Sequence, residues 1–192
     1  MKKIWITLTA LLLVLSACAC GKQDANDGAK IRHAEITIKN YGTVKLELDA
    51  EAAPITVANF VDLAKQGFYD GLTFHRIIDG FMIQGGAANA SSKIKPKTIK
   101  GEFSANGVEN PIKHVTGVIS MARANDMNSA SSQFFIMVDD APYLDGKYAA
   151  FGHVTEGIEI VKKIAKDARP IDSNGTIPAD AQPVIEKVVI TD

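Results

Sequence analysis

Residues 74–86 read FHRIIDGFMIQGG and set one cation, Arg76, and one side-chain amide, Gln84, among large apolar side chains. Asp79-Gly80 marks a turn, and Gly85-Gly86 lets a backbone come close. The stretch holds no cysteine, no serine–histidine pair and no carboxylate pair, so acyl transfer, glycoside hydrolysis and metal chemistry lack their usual parts. What remains is electrostatic. An arginine cannot be deprotonated at ordinary pH, and its donors beside an apolar hollow can stabilise a group that becomes electron-rich during a reaction. Gln84 can accept from the guanidinium and fix its direction.

Both side chains are needed on one face. An ideal two-residue turn at Asp79-Gly80 would pair Ile78 with Phe81 and His75 with Gln84, putting Arg76 and Gln84 on opposite faces. The connection is therefore expected to contain a bulge or a wider turn.

The elements that must hold this hairpin follow from periodicity. Ala34, Ile36, Ile38 and then Val44, Leu46, Leu48 alternate with polar residues around Asn40-Tyr41-Gly42, which predicts an antiparallel hairpin with one buried face. Ala53-Pro54 opens a helix whose Val57, Phe60, Val61 and Ala64 form one stripe, stopped at Gly67. Further strands are expected over residues 72–78, 81–84, 118–121, 134–138, 151–154 and 184–190, and a second helix between Gly157 and Lys166. Many short strands, two helices and long loops predict a mainly β fold, a closed antiparallel barrel capped by the helices. Three long irregular stretches, 87–113, 123–132 and 167–183, are of a length that often carries function.

Outside this region, Lys2-Lys3 precede an apolar run over residues 4–15, shorter than the ~20 residues that span a bilayer and matching the apolar part of an export signal. Leu15-Ser16-Ala17-Cys18 is similar to a bacterial lipobox, which implies removal of residues 1–17 and a lipidated Cys18. Cys20 is a weaker candidate for a lipid. Within residues 18–30, the lipidated cysteine and its tether, residues 21–30 hold no large apolar side chain and should form a flexible coil spanning roughly 15–20 Å. Loss of Lys2 and Lys3 would leave nineteen basic against twenty-two acidic residues, which argues against nucleic acid as a partner. Residues 31–192 then form one domain, expected to be a monomer, with no cysteine for a disulfide. The four histidines lie far apart with no ligand spacing, so neither a metal nor another cofactor is expected.

FHRIIDGFMIQGG, followed by SSQFFI at 131–136 and LDGKY at 144–148, resembles the cyclophilin-type peptidyl-prolyl isomerases, and the resemblance runs from about residue 34 to 192. It implies an eight-stranded barrel capped by two helices, proline-containing polypeptides as substrates, and a proline pocket served by a catalytic arginine. Carried onto this chain, it implies Arg76 and Gln84 as the catalytic pair. Phe81, Met82, Phe135 and Leu144 would form the pocket, with Gln133, Tyr143 and Tyr148 around it and the Ala122-Arg123-Ala124 backbone pairing with an extended substrate. The reaction needs no nucleophile, because the barrier of ~18–20 kcal/mol is amide resonance lost on twisting. A donor aimed at the twisted nitrogen binds the transition state better than the ground state.

The chain departs from the family at several positions. Tyr143 stands where the family often has tryptophan and Tyr148 where it often has histidine, and Arg123 stands where the best-known members have asparagine. These changes bear on cyclosporin affinity and on which peptides bind. Residues 87–96 also lack the usual glycines. Taken singly, Arg76 is an edge-strand cation, Phe81 and Phe135 are core residues and Gln84 is polar surface. A barrel that holds proline peptides without turnover, and a lipoprotein with a ligand inside its barrel, are the competing readings. Arg76 beside Gln84 opposes the first, and branched side chains filling the interior oppose the second.

Overall fold

The computed structural model describes residues 30–192; the expected export signal, the lipid site at Cys18 and all but the last residue of the tether lie outside them. Eight strands and two helices follow in order: β1 Ile31–Ile38, β2 Gly42–Asp49, α1 Pro54–Lys65, β3 Phe74–Ile78, β4 Met82–Gly85, β5 Val118–Met121, β6 Phe134–Met137, β7 Ala149–Glu156, α2 Ile158–Asp167 and β8 Ile185–Ile190. The sheet order is β3-β4-β6-β5-β7-β2-β1-β8, and the described ladders are antiparallel.

The expected closure of the barrel is not borne out: the strands form an open half-barrel. Its two end strands, β3 and β8, share no ladder and meet only near the isolated bridge Thr73↔Val184. Phe74 N–H donates to Pro183 O and Ile185 N–H to Leu72 O there. Further along β3, the edge is occupied by residues 175–177 instead of β8, through the Arg76↔Thr176 bridge and the bond from Ile77 N–H to Gly175 O. A loop covers the gap and satisfies the edge groups that closure would have satisfied.

Strand alternation sends side chains to two separate apolar clusters. Phe134 and Ile136 of β6 enter the main core with Ile77, Ile83 and Ile119, whereas Phe135 and Met137 enter a smaller cluster with Met82, Leu144 and Ala150. This explains why β6 is apolar on both faces, a pattern that a strand with one solvated face does not show.

Helix α1 packs Phe60, fully buried, against Tyr69, Phe134 and Phe151 at centroid distances of 5.1, 5.6 and 5.4 Å. Pro54 stands in its first turn, and no side chain caps it from Ala53. Its free N–H groups are met from far along the chain: the buried Glu102 accepts from Ile55 N at 3.0 Å, and from Thr56 N and Thr56 Oγ1 at 2.7 Å each. A carboxylate at a helix N-terminus is favoured by the exposed N–H groups and the helix dipole. Gly67 and Phe68 N–H groups close the other end on Ala64 O and Leu63 O. The long loop before β5 is thus tied to the core, and Asn110 extends the tie by donating to Glu102 O and Ala150 O.

Candidate active site

The site begins at the β3–β4 hairpin. Its register pairs Ile78 with Met82, Ile77 with Ile83 and Arg76 with Gln84, so three residues, Asp79, Gly80 and Phe81, make the turn. Phe81 N–H returns to Ile78 O at 3.1 Å, and Gly80 takes the positive φ of 72° that this wider turn needs. Arg76 and Gln84 therefore share a face, as their joint action requires. A register shift follows only beyond the pair, between Phe74 and Arg76.

Neighbouring strands extend that face. Gln84 pairs with Phe135 on β6, and Phe135 with Ser120 on β5. Around them lies an open cavity of about 410 Å³, lined by Arg76, Gln84, Phe81 and Met82 from the hairpin, together with Phe135 and Ala122. Arg123, Tyr143, Leu144 and Tyr148 complete its wall. Residues spread over some seventy positions of sequence are thus brought to one hollow.

Arg76 is held on two of its nitrogens. Nε donates to Asn174 O at 2.8 Å, and Nη1 lies 3.3 Å from Gln84 Oε1 and 3.7 Å from Met82 Sδ. Nη2 has no hydrogen-bond partner among the described residues. The guanidinium lies 6.0 Å from the Phe81 ring centroid, within range of a cation–π attraction.

Gln133 does not line the cavity: its Oε1 accepts from Gln84 Nε2 at 3.0 Å, so it stands behind the pair and orients Gln84. The expectation for Ala122 and Ala124 also needs correction. Ala122 N–H is spent on Gln133 O, one step beyond the last β5–β6 pair, and Ala124 N–H on Ser129 Oγ, where the 123–129 loop folds on itself. Ala124 lies off the cavity wall, and its carbonyl accepts from Arg123 Nη1. Arg123 is likewise occupied, with Nε and Nη2 on Lys147 O at 3.0 and 2.9 Å and its guanidinium 4.8 Å from Tyr148 and 5.1 Å from Phe103. It braces an aromatic wall.

Behind Phe135 lies a polar group that sequence reasoning did not assemble. The His114 ring stacks on Phe135 with an interplanar angle of 17°, its Nδ1 is 3.1 Å from Asp145 Oδ1, and its Nε2 is 3.0 Å from Ser120 Oγ. Ser120 is fully buried, so this serine–histidine–aspartate arrangement cannot reach a substrate and instead supports the pocket floor. Asp145 lies in the LDGKY motif, but His114 and Ser120 lie outside every motif and gave no local signal. Burial holds the His114 imidazole below its ordinary value against the opposing pull of Asp145, and burial does the same to His75. Among the described residues no group of three or more His, Cys, Asp or Glu is placed to hold a metal, and no helix is long and apolar enough to cross a membrane.

The family model described as cyclophilin type peptidyl-prolyl cis-trans isomerase/CLD matches residues 33–192. Peptidyl-prolyl cis-trans isomerase A of Dickeya dadantii is 41% identical over 164 residues, covering 83% of each chain. Peptidyl-prolyl cis-trans isomerase B of Bacillus subtilis is 46% identical over 129 residues, covering 67% of this chain and 87% of its own. Among solved structures, a Cryptosporidium parvum cyclophilin type peptidyl-prolyl cis-trans isomerase superposes with a TM-score of 0.72 at 28% identity, over 84% of this chain and 98% of that one. A second structure of that parasite protein, determined in the presence of the dipeptide Ala-Pro, gives 0.70 at 29% identity over 83% and 99% of the two chains.

Proposed function

The chain belongs to the cyclophilin-type peptidyl-prolyl cis-trans isomerases, and from that premise we propose that Arg76 drives its reaction over an apolar proline pocket. Twisting the bond before proline breaks amide resonance and leaves a lone pair on the nitrogen. A donor that meets this lone pair stabilises the twisted state more than the planar one, which is the condition for catalysis. The observation that carries this reading is that Arg76 lines the cavity with its guanidinium fixed through Nε and Nη1 and its Nη2 uncommitted among the described residues. Gln84 orients it, and Gln133 orients Gln84.

Met82, Phe135 and Leu144 are the buried apolar residues suited to grip the proline ring. Phe81, Tyr143 and Tyr148 form the more open wall, with Ala122 and Arg123 at its side. A proline-containing polypeptide as occupant is supported by the relative solved with Ala-Pro.

The setting we infer is outside the cytoplasm: a monomer anchored by a lipid on Cys18, tethered through residues 18–30, and assisting exported proteins to fold. Leu15 to Cys18 and the apolar run before them support that part of the proposal.

The catalytic part is tested by cis/trans exchange on an Ala-Pro peptide. Loss of a preorganised donor typically costs ~10² to 10³ in rate, so Arg76→Ala should fall by about that while staying folded. Arg76→Lys should also fail substantially, because a point charge does not reproduce the planar fork. Full activity in Arg76→Ala would overturn the mechanism.

A further inference from the structure

Residues 172–176, DSNGT, lie in the long loop between α2 and β8 and form a tight turn. Asp172 Oδ1 accepts from Thr176 N at 3.0 Å, Gly175 N–H donates to Asp172 O, and Ile171 N–H donates to Thr176 O. The Asp172 carboxyl is held below its ordinary value, first by the Thr176 amide and next by the Thr176 hydroxyl. One side chain therefore gathers the turn across four residues.

This turn is pressed onto the open edge of β3. Ile77 N–H donates to Gly175 O at 2.8 Å and Ile177 N–H to His75 O at 3.0 Å, bracketing Arg76 on both sides. Gly175 has φ +87°, and a Cβ there would meet Ile78 Cγ1 at 2.5 Å and Ile77 O at 2.7 Å. Covering a sheet edge needs only the two backbone bonds. The structure shows one more: Asn174 O accepts from Arg76 Nε at 2.8 Å, the shortest bond that the guanidinium makes and the one to a backbone atom. Its other two acceptors, Gln84 Oε1 at 3.3 Å and Met82 Sδ at 3.7 Å, are side-chain atoms and lie farther off.

We propose that the 172–176 turn aims Arg76 at the substrate through the Asn174 carbonyl, and that Asp172, by holding the turn in shape, is a positioning residue for the isomerisation. Asp172 itself does not line the cavity, so it acts only through Arg76. The inference rests on the reading of Arg76 as the catalytic donor.

The test is a double-mutant cycle on the full chain, reading kcat and KM by exchange on an Ala-Pro peptide. Misplacement of a catalytic group by about 1 Å can cost up to ~10² in rate, so Asp172→Ala should lose roughly tenfold in kcat with KM nearly unchanged. Asp172→Asn keeps an oxygen acceptor for the Thr176 amide and should restore most of the loss. In an Arg76→Ala background, Asp172→Ala should cost nothing further, because the group it aims is gone. An independent readout is the Arg76 Nε–H resonance, which should be protected from solvent exchange in the unaltered protein and in Asp172→Asn, but not in Asp172→Ala. Wild-type kcat in Asp172→Ala, or an equal loss in the Arg76→Ala background, would overturn the inference while leaving Arg76 catalytic. Full activity in Arg76→Ala would overturn the catalytic reading and this one with it.

Discussion

Arg76 and Gln84 stand directly opposite one another on paired strands, with Arg76 Nη1 3.3 Å from Gln84 Oε1, because the hairpin between them turns on three residues and not two. Gln84 is held in its turn by Gln133 at 3.0 Å, so the guanidinium is steered by a short chain of side-chain amides.

Gln84→Ala removes the acceptor and is expected to lower kcat roughly tenfold, less than loss of Arg76 itself, because Asn174 O still holds Nε. KM should change little. Peptide exchange kinetics check this, and a loss as large as that of Arg76→Ala would mean that Gln84 does more than orient.

The pH dependence follows from the histidines. His114 and His75 are held below their ordinary value by burial, and the proposed mechanism moves no proton. Exchange rates should be nearly flat from about pH 6.5 to 8, with no bell. Stability behaves differently. The unfolded chain takes up the histidine proton first, near ~6.5, so the stabilisation is full above that pH and is lost as pH falls through it toward the folded value. Burial opposes ionisation of Asp145, but the His114 amide and ring and Lys113 outweigh it and hold the carboxyl low. Its contribution is lost only as pH falls through its own depressed value. Thermal melts should be level from pH 7 to 8 and decline below about 6.5, and His114→Gln should flatten the upper part of that decline.

Tyr143 is 59% exposed at the cavity wall, its ring 5.9 Å from that of Phe81. It presents a hydroxyl where drug-sensitive cyclophilins present an indole N–H. Tyr143→Trp is expected to tighten cyclosporin by up to about tenfold, the worth of one added hydrogen bond, with little change in turnover on short peptides. Titration calorimetry on both proteins decides it, and tight binding by the unaltered chain would show that the donor is unimportant here.

Cys18→Ser should leave the precursor unprocessed or release the protein from membranes, whereas the unaltered protein should partition with them. Fractionation and mass measurement of the native N-terminus give the answer. A lipid-free chain still beginning at Met1 would sink the anchoring proposal.

The sequence by itself carried the elements. Alternation at period 2 marked β1 and β2, short apolar runs marked the other strands, and a stripe at period 3.6 marked α1, because burial is a local pattern. It also carried the hairpin's constraint: a two-residue turn at Asp79-Gly80 would have parted Arg76 from Gln84, and the structure has the three-residue turn. The two 3-10 turns, Ser104–Asn106 and Pro142–Leu144, were not legible, since three residues complete no period.

Tertiary structure alone decided what depends on partners distant in the chain. Closed and half-open barrels have the same strands and the same alternation. The difference is whether β3 meets β8 or the 175–177 loop, which no strand pattern records. Glu102 is an ordinary acid in sequence and becomes the buried cap of α1 because folding brings it to Thr56, 46 positions away. His114 finds Asp145 over 31 positions, and Arg76 finds Asn174 over 98. Arg123 and the Ala124 amide, open to a peptide when read along the chain, are consumed by carbonyl and hydroxyl groups that the fold delivers. A residue's type sets which bonds it can make, and its neighbours in space determine which of them it does make.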